Sequence, residues 1–479
     1  MKATMTLNAP DLITKQLTVT QYDNGKHKLQ ISSNFLRLIG LEPNVKVVER
    51  SLGPGQGYEI VPASVLDIKP KKVYEREYKQ RRNNPLFEAM TETTRHDLMH
   101  IALSSAKTVH VTLTHCRVLV KPVMDLVAQR VSRFLKGTAP YRVFSALTSG
   151  VDAHAATNVG FDVNAVLDYR PDQKRDLGKK QDLTESGVMS IMNNLAPSLV
   201  FNEDIYTVNP HQLAFVMGDR MPDLMTCSPQ CSDFTPVKSK VFKNAHYEDL
   251  STTLDMVHPL LNLVNAVQPV SVMLEQVKGF GQHAMGQLWE LTMKRKGYFV
   301  HQTVLDARDH EGITGRQRHF SFATSLDAPF EWPEPTPRRN TPLWDEFIAP
   351  RLSDFRDITD TESMKKARAQ GRLRAITPYS NFAPTLLRSQ SRQCKDSCVI
   401  ETHDGRILFP DEALLRTLMT LPDSFRFDTC SKEIATEILG QGVDYTLYER
   451  IMQSVQAHFD SAKAQYSPMT QLSLFARQA

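Results

Sequence analysis

The sequence lacks the features of a secreted or membrane protein. Its 479 residues include only 6 cysteines, too few in a chain of this length to form a disulfide framework. None of its apolar runs reaches the length that a membrane-spanning helix requires. Residues 1–20 also lack the charged, apolar and small-residue order of a secretory signal. We therefore expect a protein of the reducing cytoplasm that does not enter a membrane.

The sequence also has little excess charge. Its 57 Lys and Arg residues and 53 Asp and Glu residues give a formal net charge of +4, which permits binding to nucleic acid but does not predict it. Charged residues make up 23% of the chain and hydrophobic residues 41%, as in ordinary globular proteins. The length is sufficient for two or three domains with a sizeable core.

Residues 1–68 show the pattern of a small β-rich module, with short alternating runs separated by glycine turns. The run K-L-Q-I-S-S-N-F-L-R-L-I-G-L-E-P-N-V-K-V at positions 28–47 resembles the swapped-hairpin DNA-binding domains of bacterial transition-state regulators and antitoxins. That resemblance implies DNA binding and self-association through this module. A generic small β-domain explains the same residues about as well.

Residues 69–137 form a connecting region that begins with a basic stretch. Seven Lys or Arg residues and two Glu residues lie between positions 69 and 82, which suits either a phosphate-contacting linker or a solvated face. Residues 84–104 have the pattern of a helix, and two short apolar runs after them predict a hairpin. The run Gly137-Thr138-Ala139-Pro140 ends this region, because glycine and proline interrupt regular structure.

From Tyr141 onward, strand-like runs alternate with helical segments, which predicts a parallel α/β sheet. The first strand, 142–145, leads into a loop of small residues and a helix, and the second strand ends at Asp168. An acidic residue at this distance from the first strand is typical of proteins that hold a nucleotide ribose. We assign residues 138–326 to this sheet domain.

The run from Asp223 to Thr235 places a cysteine at the edge of that sheet. A buried strand ends at Thr226, and a Pro-containing turn presents Cys231 beyond its carboxyl end, where ligands bind in open α/β sheets. Another apolar run, 269–274, ends in Glu275 at the same edge. A cysteine placed in this way can act as a nucleophile, whereas an arbitrary cysteine is more often buried and inert.

Eight short motifs follow one another along the chain. They are Phe144-Ser145 to Gly150, Asp168, Asp204-Ile205, Pro229-Gln230-Cys231, Leu274-Glu275-Gln276-Val277, Gly297-Tyr298-Phe299-Val300, Arg316-Gln317-Arg318 and Gly440-Gln441-Gly442-Val443. Each motif alone is weak, but their order over residues 141–326 and 380–460 resembles the cytosine-C5 DNA methyltransferase family. The resemblance implies an α/β fold with a Rossmann-like sheet that binds S-adenosylmethionine, a small target-recognition domain, and methyl transfer to double-stranded DNA. It also implies a bacterial, phage or plasmid-borne context.

By this resemblance, four residues carry the chemistry. Cys231 would add covalently to C6 of a flipped-out cytosine, which makes C5 nucleophilic toward the methyl group. Glu275 would hydrogen-bond N3 and N4 of the ring, and Arg316 and Arg318 would supply positive charge near the pocket. Without the family context, Glu275 would be a strand-end carboxylate and the two arginines a solvated pair.

The resemblance also implies a set of cofactor contacts. Asp168 would hold the ribose, Asp204 the adenine amino group, and Phe144 would pack beside the adenine; plain turn acids are the alternative for the two aspartates. The other residues expected at the cofactor are Ser145, Gly150, Tyr169, Ile205, Pro229, Gly442 and Val443. In the cofactor loop, glycines of the family are replaced by Ala146, Thr148 and Ser149.

The rest of the chain fits the same scheme. Residues 327–385, rich in proline and charge, occupy the place of the target-recognition region. Residues 386–465 would return to the catalytic domain, and residues 466–479 would form a flexible tail. Two other functions stay open, namely an RNA cytosine-C5 methyltransferase and a catalytically weak DNA-binding regulator.

Two cysteine pairs raise the alternative of a zinc site. The four thiols belong to Cys227, Cys231, Cys394 and Cys398. Structural zinc pairs usually lie two or three residues apart on tight turns, whereas each of these pairs is four apart and the first cysteine falls within a strand. We therefore expect no metal.

Overall fold

The computed structural model describes residues 10–76, 88–171, 183–234, 244, 247–248 and 251–466. The chain divides into two units, Met1–Gln129 and Arg130–Ala479. In the ranges given, no helix is both long enough and apolar enough to cross a membrane.

The first unit is built from antiparallel strands, which confirms the predicted β-rich N-terminal region. Its strands are β1 (Ile13–Thr18), β2 (Thr20–Gln21), β3 (His27–Ser33), β4 (Lys46–Ser51), β5 (Tyr58–Pro62), β6 (Lys71–Lys72), β7 (Tyr74–Arg76), β8 (Glu88–Thr93), β9 (Thr108–Thr114) and β10 (Arg117–Pro122). One sheet has the order β1-β9-β10-β5-β4-β6, and the other has the order β2-β3-β8-β7. Helix α1 (Phe35–Leu38) follows β3.

The helix expected over residues 84–104 is wrong for most of its described part. Residues 88–93 form strand β8, and every second residue of that strand is buried. Only a single π-helical turn, Asp97–Ala102, follows it. Glu, Ala and Met favour helix in isolation, but pairing of β8 with β3 and burial of one face decide the outcome. Residues 84–87 lie outside the described residues.

The first unit encloses its own core. Buried side chains from both sheets include Leu29, Val47, Ile60, Ala89, Val111 and Val118. Glu49 is also buried, but Lys71 Nζ lies 2.9 Å from its carboxylate and Thr93 Oγ1 donates to it at 2.5 Å. A segment with a closed core and paired buried charge has what independent folding requires.

Residues 1–129 expressed alone should therefore fold. We expect one cooperative urea transition, with a slope of about 1–3 kcal/mol/M, that coincides by circular dichroism and by tyrosine fluorescence. The full-length chain measured in parallel supplies the reference. A gradual loss of signal, or transitions that differ between the two probes, would contradict an independent first unit.

The second unit is organised around a seven-stranded mixed sheet. Its strands are β11 (Arg142–Ala146), β12 (Asp162–Leu167), β13 (Leu199–Phe201), β14 (Leu224–Cys227), β15 (Ser271–Val277), β16 (Phe299–Asp306) and β17 (Gln317–Thr324). They lie in the order β13-β12-β11-β14-β15-β17-β16. Neighbours from β13 to β15 pair in parallel, and β17 runs antiparallel to both β15 and β16. The predicted Rossmann-like α/β fold is confirmed.

Helices cover both faces of this sheet. The α-helices are α2 (Leu126–Lys136), α3 (Val151–Val159), α4 (Ser186–Asn194), α5 (Pro210–Met217), α6 (Val257–Val267), α7 (Ala284–Arg295), α8 (Glu362–Ala369), α9 (Glu412–Leu418), α10 (Lys432–Gln441) and α11 (Tyr445–Gln465). Successive strand residues point to opposite faces. Val143 accordingly packs in the core that contains α3 and α11, whereas Phe144 packs in the core that contains α5 and α6.

The second unit also contains a smaller sheet, formed by residues between 356 and 409. Its strands are β18 (Arg356–Asp357), β19 (Arg374–Ile376), β20 (Cys398–Glu401) and β21 (Ile407–Phe409), in the order β18-β21-β20-β19. Ile358, Met364, Val399 and Ile407 form a small core of their own. The sheet therefore takes two strands from the segment 327–385 and two from the segment 386–465.

Candidate functional site

Three neighbouring strand pairs end in register at one edge of the large sheet. Ala146 of β11 pairs with Leu167 of β12 on one side and with Cys227 of β14 on the other. Cys227 in turn pairs with Leu274 of β15. Residues that follow each of these strand positions line one cavity of about 600 Å³. Parallel pairing thus brings four distant parts of the sequence together, because carboxyl ends of parallel strands share one edge.

Most of the residues expected at the site line this cavity. They are Asp168, Tyr169, Asp204, Ile205, Pro229, Cys231, Glu275, Arg318, Gly442 and Val443. Phe144 and Ser145 are instead fully buried within β11, and Gly150 precedes α3 with a φ of 103°. Arg316 is buried outside the cavity lining.

The turn that carries Cys231 is held from two sides. Gln276, buried on β15, donates from Nε2 to the carbonyl oxygen of Pro229 at 2.5 Å. The backbone N–H of Thr253 donates to the buried carboxylate of Asp233 at 2.8 Å. The position of Cys231 is therefore fixed by hydrogen bonds just before and just after it.

Glu275 forms a buried ion pair with Arg318. Arg318 Nε lies 2.7 Å from Glu275 Oε1, and both side chains are largely shielded from solvent. Burial raises the pKa of the Glu275 carboxyl group, and the charges of Arg318 and Arg316 oppose this rise. A carboxyl group with a raised pKa retains a proton more readily, so Glu275 can donate a hydrogen bond as well as accept one.

The thiol of Cys231 experiences the same charges. Burial raises its pKa, and Arg318 lowers it more than any other charge does. Glu275 raises it again, and Arg316 opposes Glu275. Since only the thiolate is strongly nucleophilic, Arg318 is the residue whose charge most favours reactivity at Cys231.

Arg316 has a structural position rather than a place in the cavity. Its guanidinium donates to the carbonyl oxygens of Leu386 at 3.2 Å and Gly440 at 3.3 Å, and also to that of Gly442. A Cβ atom at Gly440 would lie 2.3 Å from the carbonyl oxygen of Leu387, so the last turn of α10 packs against residue 387 with no space for a side chain. Burial lowers the pKa of Arg316 to about 9.

The cofactor side of the cavity carries carboxyl groups. Asp168 follows β12, and a Cβ atom at Gly187 in α4 would lie 1.6 Å from its Oδ2, so glycine is required there. Burial, with a contribution from the charge of Asp152, raises the pKa of Asp168 to about 8. Asp204 accepts a hydrogen bond from the backbone N–H of Tyr206 at 3.0 Å. Such groups suit the hydroxyl and amino groups of a nucleoside cofactor.

The cavity also contains charged residues that the sequence analysis missed. Asp152 comes from α3, Arg170 follows β12, Arg388 precedes α10 and Glu437 lies within α10. The buried carboxylate of Glu437 lies 3.6 Å from Arg170 Nε and 3.8 Å from an Nη atom of Arg388. A glutamate inside the otherwise apolar run of α10 was the one sequence signal for this cluster.

The cysteines are not arranged for metal binding. Cys227 is buried at the end of β14, and its thiol donates to the carbonyl oxygen of Met273 at 3.6 Å. Throughout the described ranges, no group of three or more His, Cys, Asp or Glu side chains is placed to hold a metal ion.

Comparison with known protein families bears on this cavity. Residues 200–371 match the family of C-5 cytosine-specific DNA methylases. The matched segment includes all four residues that the resemblance assigned to catalysis, Cys231, Glu275, Arg316 and Arg318. The resemblance inferred from the motifs is thereby confirmed. No curated protein matches the chain.

Solved methyltransferase structures share the fold of this chain over about two thirds of its length. The S. pombe Dnmt2 methyltransferase matches with a TM-score of 0.50 at 15% identity, over 65% of this chain and 97% of that chain. The Entamoeba histolytica methyltransferase EhMeth matches with a TM-score of 0.52 at 10% identity, over 67% of this chain and 99% of that chain. At these identities, the comparison establishes the fold.

The charge of Arg318 should influence how the reactivity of the Cys231 thiol depends on pH. Because Arg318 lowers the pKa of the thiol, its replacement by Ala should move the alkylation of Cys231 by iodoacetamide to higher pH. Arg318→Lys retains the positive charge and should shift the profile less. The measurement is the alkylation rate against pH, followed by mass spectrometry of the Cys231 peptide. Superimposable profiles for all three proteins would refute the electrostatic role.

Replacement of Arg316 should destabilise the methylase fold. Arg316→Met keeps much of the side-chain volume but leaves two buried carbonyl groups and one partly buried carbonyl group without this donor, at a cost of about 1–3 kcal/mol for each buried group. We expect the free energy of unfolding, measured in urea, to fall by roughly 3 kcal/mol or more. The surface variant Arg426→Met is the control. Equal stability of both variants would show that the buried hydrogen bonds contribute little.

Proposed function

We propose that this protein transfers a methyl group from S-adenosylmethionine to C5 of a cytosine flipped out of double-stranded DNA. The proposal is supported above all by one observation: Cys231, Glu275 and Arg318 line the same cavity as Asp168 and Asp204. A nucleophile, a carboxyl group and a cation therefore share a space with acceptors suited to a nucleoside. The match to DNA methylases over residues 200–371 favours DNA as the substrate.

Cys231 would start the reaction. Its thiolate forms a bond to C6 of cytosine, and the electron pair of the C5–C6 double bond is displaced toward C5. Arg318 promotes this step by favouring the thiolate and by holding Glu275 at 2.7 Å. Extrusion of the base from the duplex, at a cost of a few kcal/mol, gives the thiolate access to C6.

Glu275 would polarise the ring. In its protonated form it donates to N3, and its other oxygen accepts from the N4 amino group, so electron density flows away from C6 as the thiolate attacks. The raised pKa of Glu275 suits the protonated form. After C5 has accepted the methyl group, loss of the C5 proton to solvent and departure of the thiolate restore the aromatic ring.

Residues on the other part of the cavity would bind the cofactor. S-adenosylmethionine supplies an electrophilic methyl group when it is bound. Asp168 would accept hydrogen bonds from ribose hydroxyls, and Asp204 from the adenine amino group. Ile205 and Val443, which also line the cavity, would enclose the apolar faces of the adenosine and exclude water.

Methyl transfer should depend on Cys231 and not on a matched cysteine elsewhere. We expect the wild type to transfer tritiated methyl groups to random-sequence duplex DNA, and Cys231→Ser to show only background incorporation while still binding the cofactor. Cys394→Ser, which alters a partly buried thiol outside the cavity, should retain activity. Glu275→Gln should lower the rate roughly 10²–10⁴-fold.

The nature of the acceptor is tested in the same assay. Bulk RNA is offered in parallel with DNA, and bisulfite sequencing of the DNA product locates the modified cytosines. Incorporation into RNA alone would replace the DNA proposal by an RNA cytosine-C5 methyltransferase. DNA binding without incorporation into either polymer would indicate a DNA-binding regulator.

A further inference from the structure

Asp152 is a buried residue whose two carboxylate oxygens have different surroundings. It lies in the first turn of α3 and is only 6% exposed. Thr148 Oγ1 donates to its Oδ1. Its Oδ2 has no hydrogen-bond partner in the part of the chain that the structure describes. An unsatisfied oxygen on a buried carboxylate is costly unless a ligand meets it.

Asp152 belongs to the lining of the cavity that contains Cys231 and Glu275. Asp152 and Thr148 both line this cavity, and the Thr148 hydroxyl also accepts from the backbone N–H of Gly150 at 3.0 Å. The negative charge of Asp152 raises the pKa of Asp168 and of Glu275. Asp152 is therefore within electrostatic range of both the expected ribose contact and the expected cytosine contact.

The loop that positions Asp152 differs from the glycine-rich cofactor loop expected by resemblance. Thr148 stands where the family carries a small glycine, and its hydroxyl orients the Asp152 carboxylate. A glycine-rich loop would present only backbone groups to the cavity, whereas this loop orients the carboxylate of Asp152 there. An anion in a buried cavity selects a cationic group, because attraction between opposite charges is strongest where water is excluded.

We propose that Oδ2 of Asp152 binds a cationic group in the methionine part of S-adenosylmethionine. This inference rests on the proposed function. The methionine part carries two positive charges, the sulfonium and the α-ammonium, and it must extend toward the cytosine for the methyl group to reach C5. Asp152 is a cofactor-binding residue in this account and takes no covalent part in the reaction.

The test compares three cofactor-like probes on the full-length protein. S-adenosylmethionine has both cations, S-adenosylhomocysteine has only the ammonium, and 5′-methylthioadenosine has neither. Asp152→Asn should weaken the binding of S-adenosylmethionine, measured by calorimetric titration, by about 10- to 100-fold, which is the range for a hydrogen bond to a charged group. Binding of 5′-methylthioadenosine should be unchanged. If Asp152→Asn loses as much affinity for S-adenosylhomocysteine, the group that Asp152 binds is the ammonium. If affinity for S-adenosylhomocysteine is unchanged, that group is the sulfonium.

Two controls separate binding from folding. Thr148→Val removes the hydroxyl but keeps the Asp152 carboxyl group, so it should weaken the binding of S-adenosylmethionine less than Asp152→Asn does. The melting temperature of ligand-free Asp152→Asn should not fall, because an amide of the same shape replaces a buried carboxyl group that has one oxygen without a hydrogen-bond partner among the described residues. Equal weakening of all three probes, or unchanged affinity for S-adenosylmethionine, would overturn the inference.

The inference and the proposed function fail in different ways. If the wild type binds S-adenosylmethionine and Asp152→Asn shows the expected selectivity, but no cytosine becomes methylated, the inference stands and the proposed reaction is wrong. If the wild type binds none of the three probes, both are overturned. If cytosine is methylated and Asp152→Asn binds the cofactor normally, only the inference about Asp152 is wrong.

Discussion

Parallel pairing in register is the constraint on which the site depends. The parallel pairing of β11 with β12 and β14, and of β14 with β15, ends level at Ala146, Leu167, Cys227 and Leu274. The residues that come next therefore lie at the same sheet edge. Polar residues that follow these positions line one cavity, although Ala146 and Leu274 are more than a hundred residues apart in the sequence. A shift of one strand by one residue would turn its side chains to the opposite face.

Burial of charge gives the cavity its chemical character. Burial raises the carboxyl pKa of Asp152, Asp168 and Glu275, and the charge of Asp152 raises the pKa of the other two further. Arg318 is the cation that offsets this effect at Glu275 and Cys231. Within the described residues, the carboxyl groups of Asp152 and Asp168 lack such a cation, so a positively charged ligand group suits their part of the cavity, whereas a neutral base that forms hydrogen bonds suits the part beside Glu275. Catalytic groups are tuned in this way when their environments shift their pKa values.

Sequence analysis predicted the parts of the site that depend on strand order alone. Cys231 and Glu275 could be placed at one edge because each comes after a recognisable apolar run, and these two runs form the neighbouring strands β14 and β15. Arg316 could not be distinguished from Arg318 by the same means, since its role depends on carbonyl groups that are 70 to 126 residues away. Asp152 was missed because an acidic residue in the first turn of a helix is common and usually compensates the helix dipole. Such roles follow from tertiary packing.

A covalent bond between Cys231 and cytosine is the central claim, and it can be trapped. Duplex DNA of random sequence that contains 5-fluorocytosine blocks the last step, because fluorine at C5 cannot leave as a proton does. We predict that S-adenosylmethionine converts the protein and this DNA into a complex stable to denaturant, and that peptide mass spectrometry locates the attached base on Cys231. Methylation of ordinary DNA with no trapped complex, or with attachment at another residue, would contradict the account.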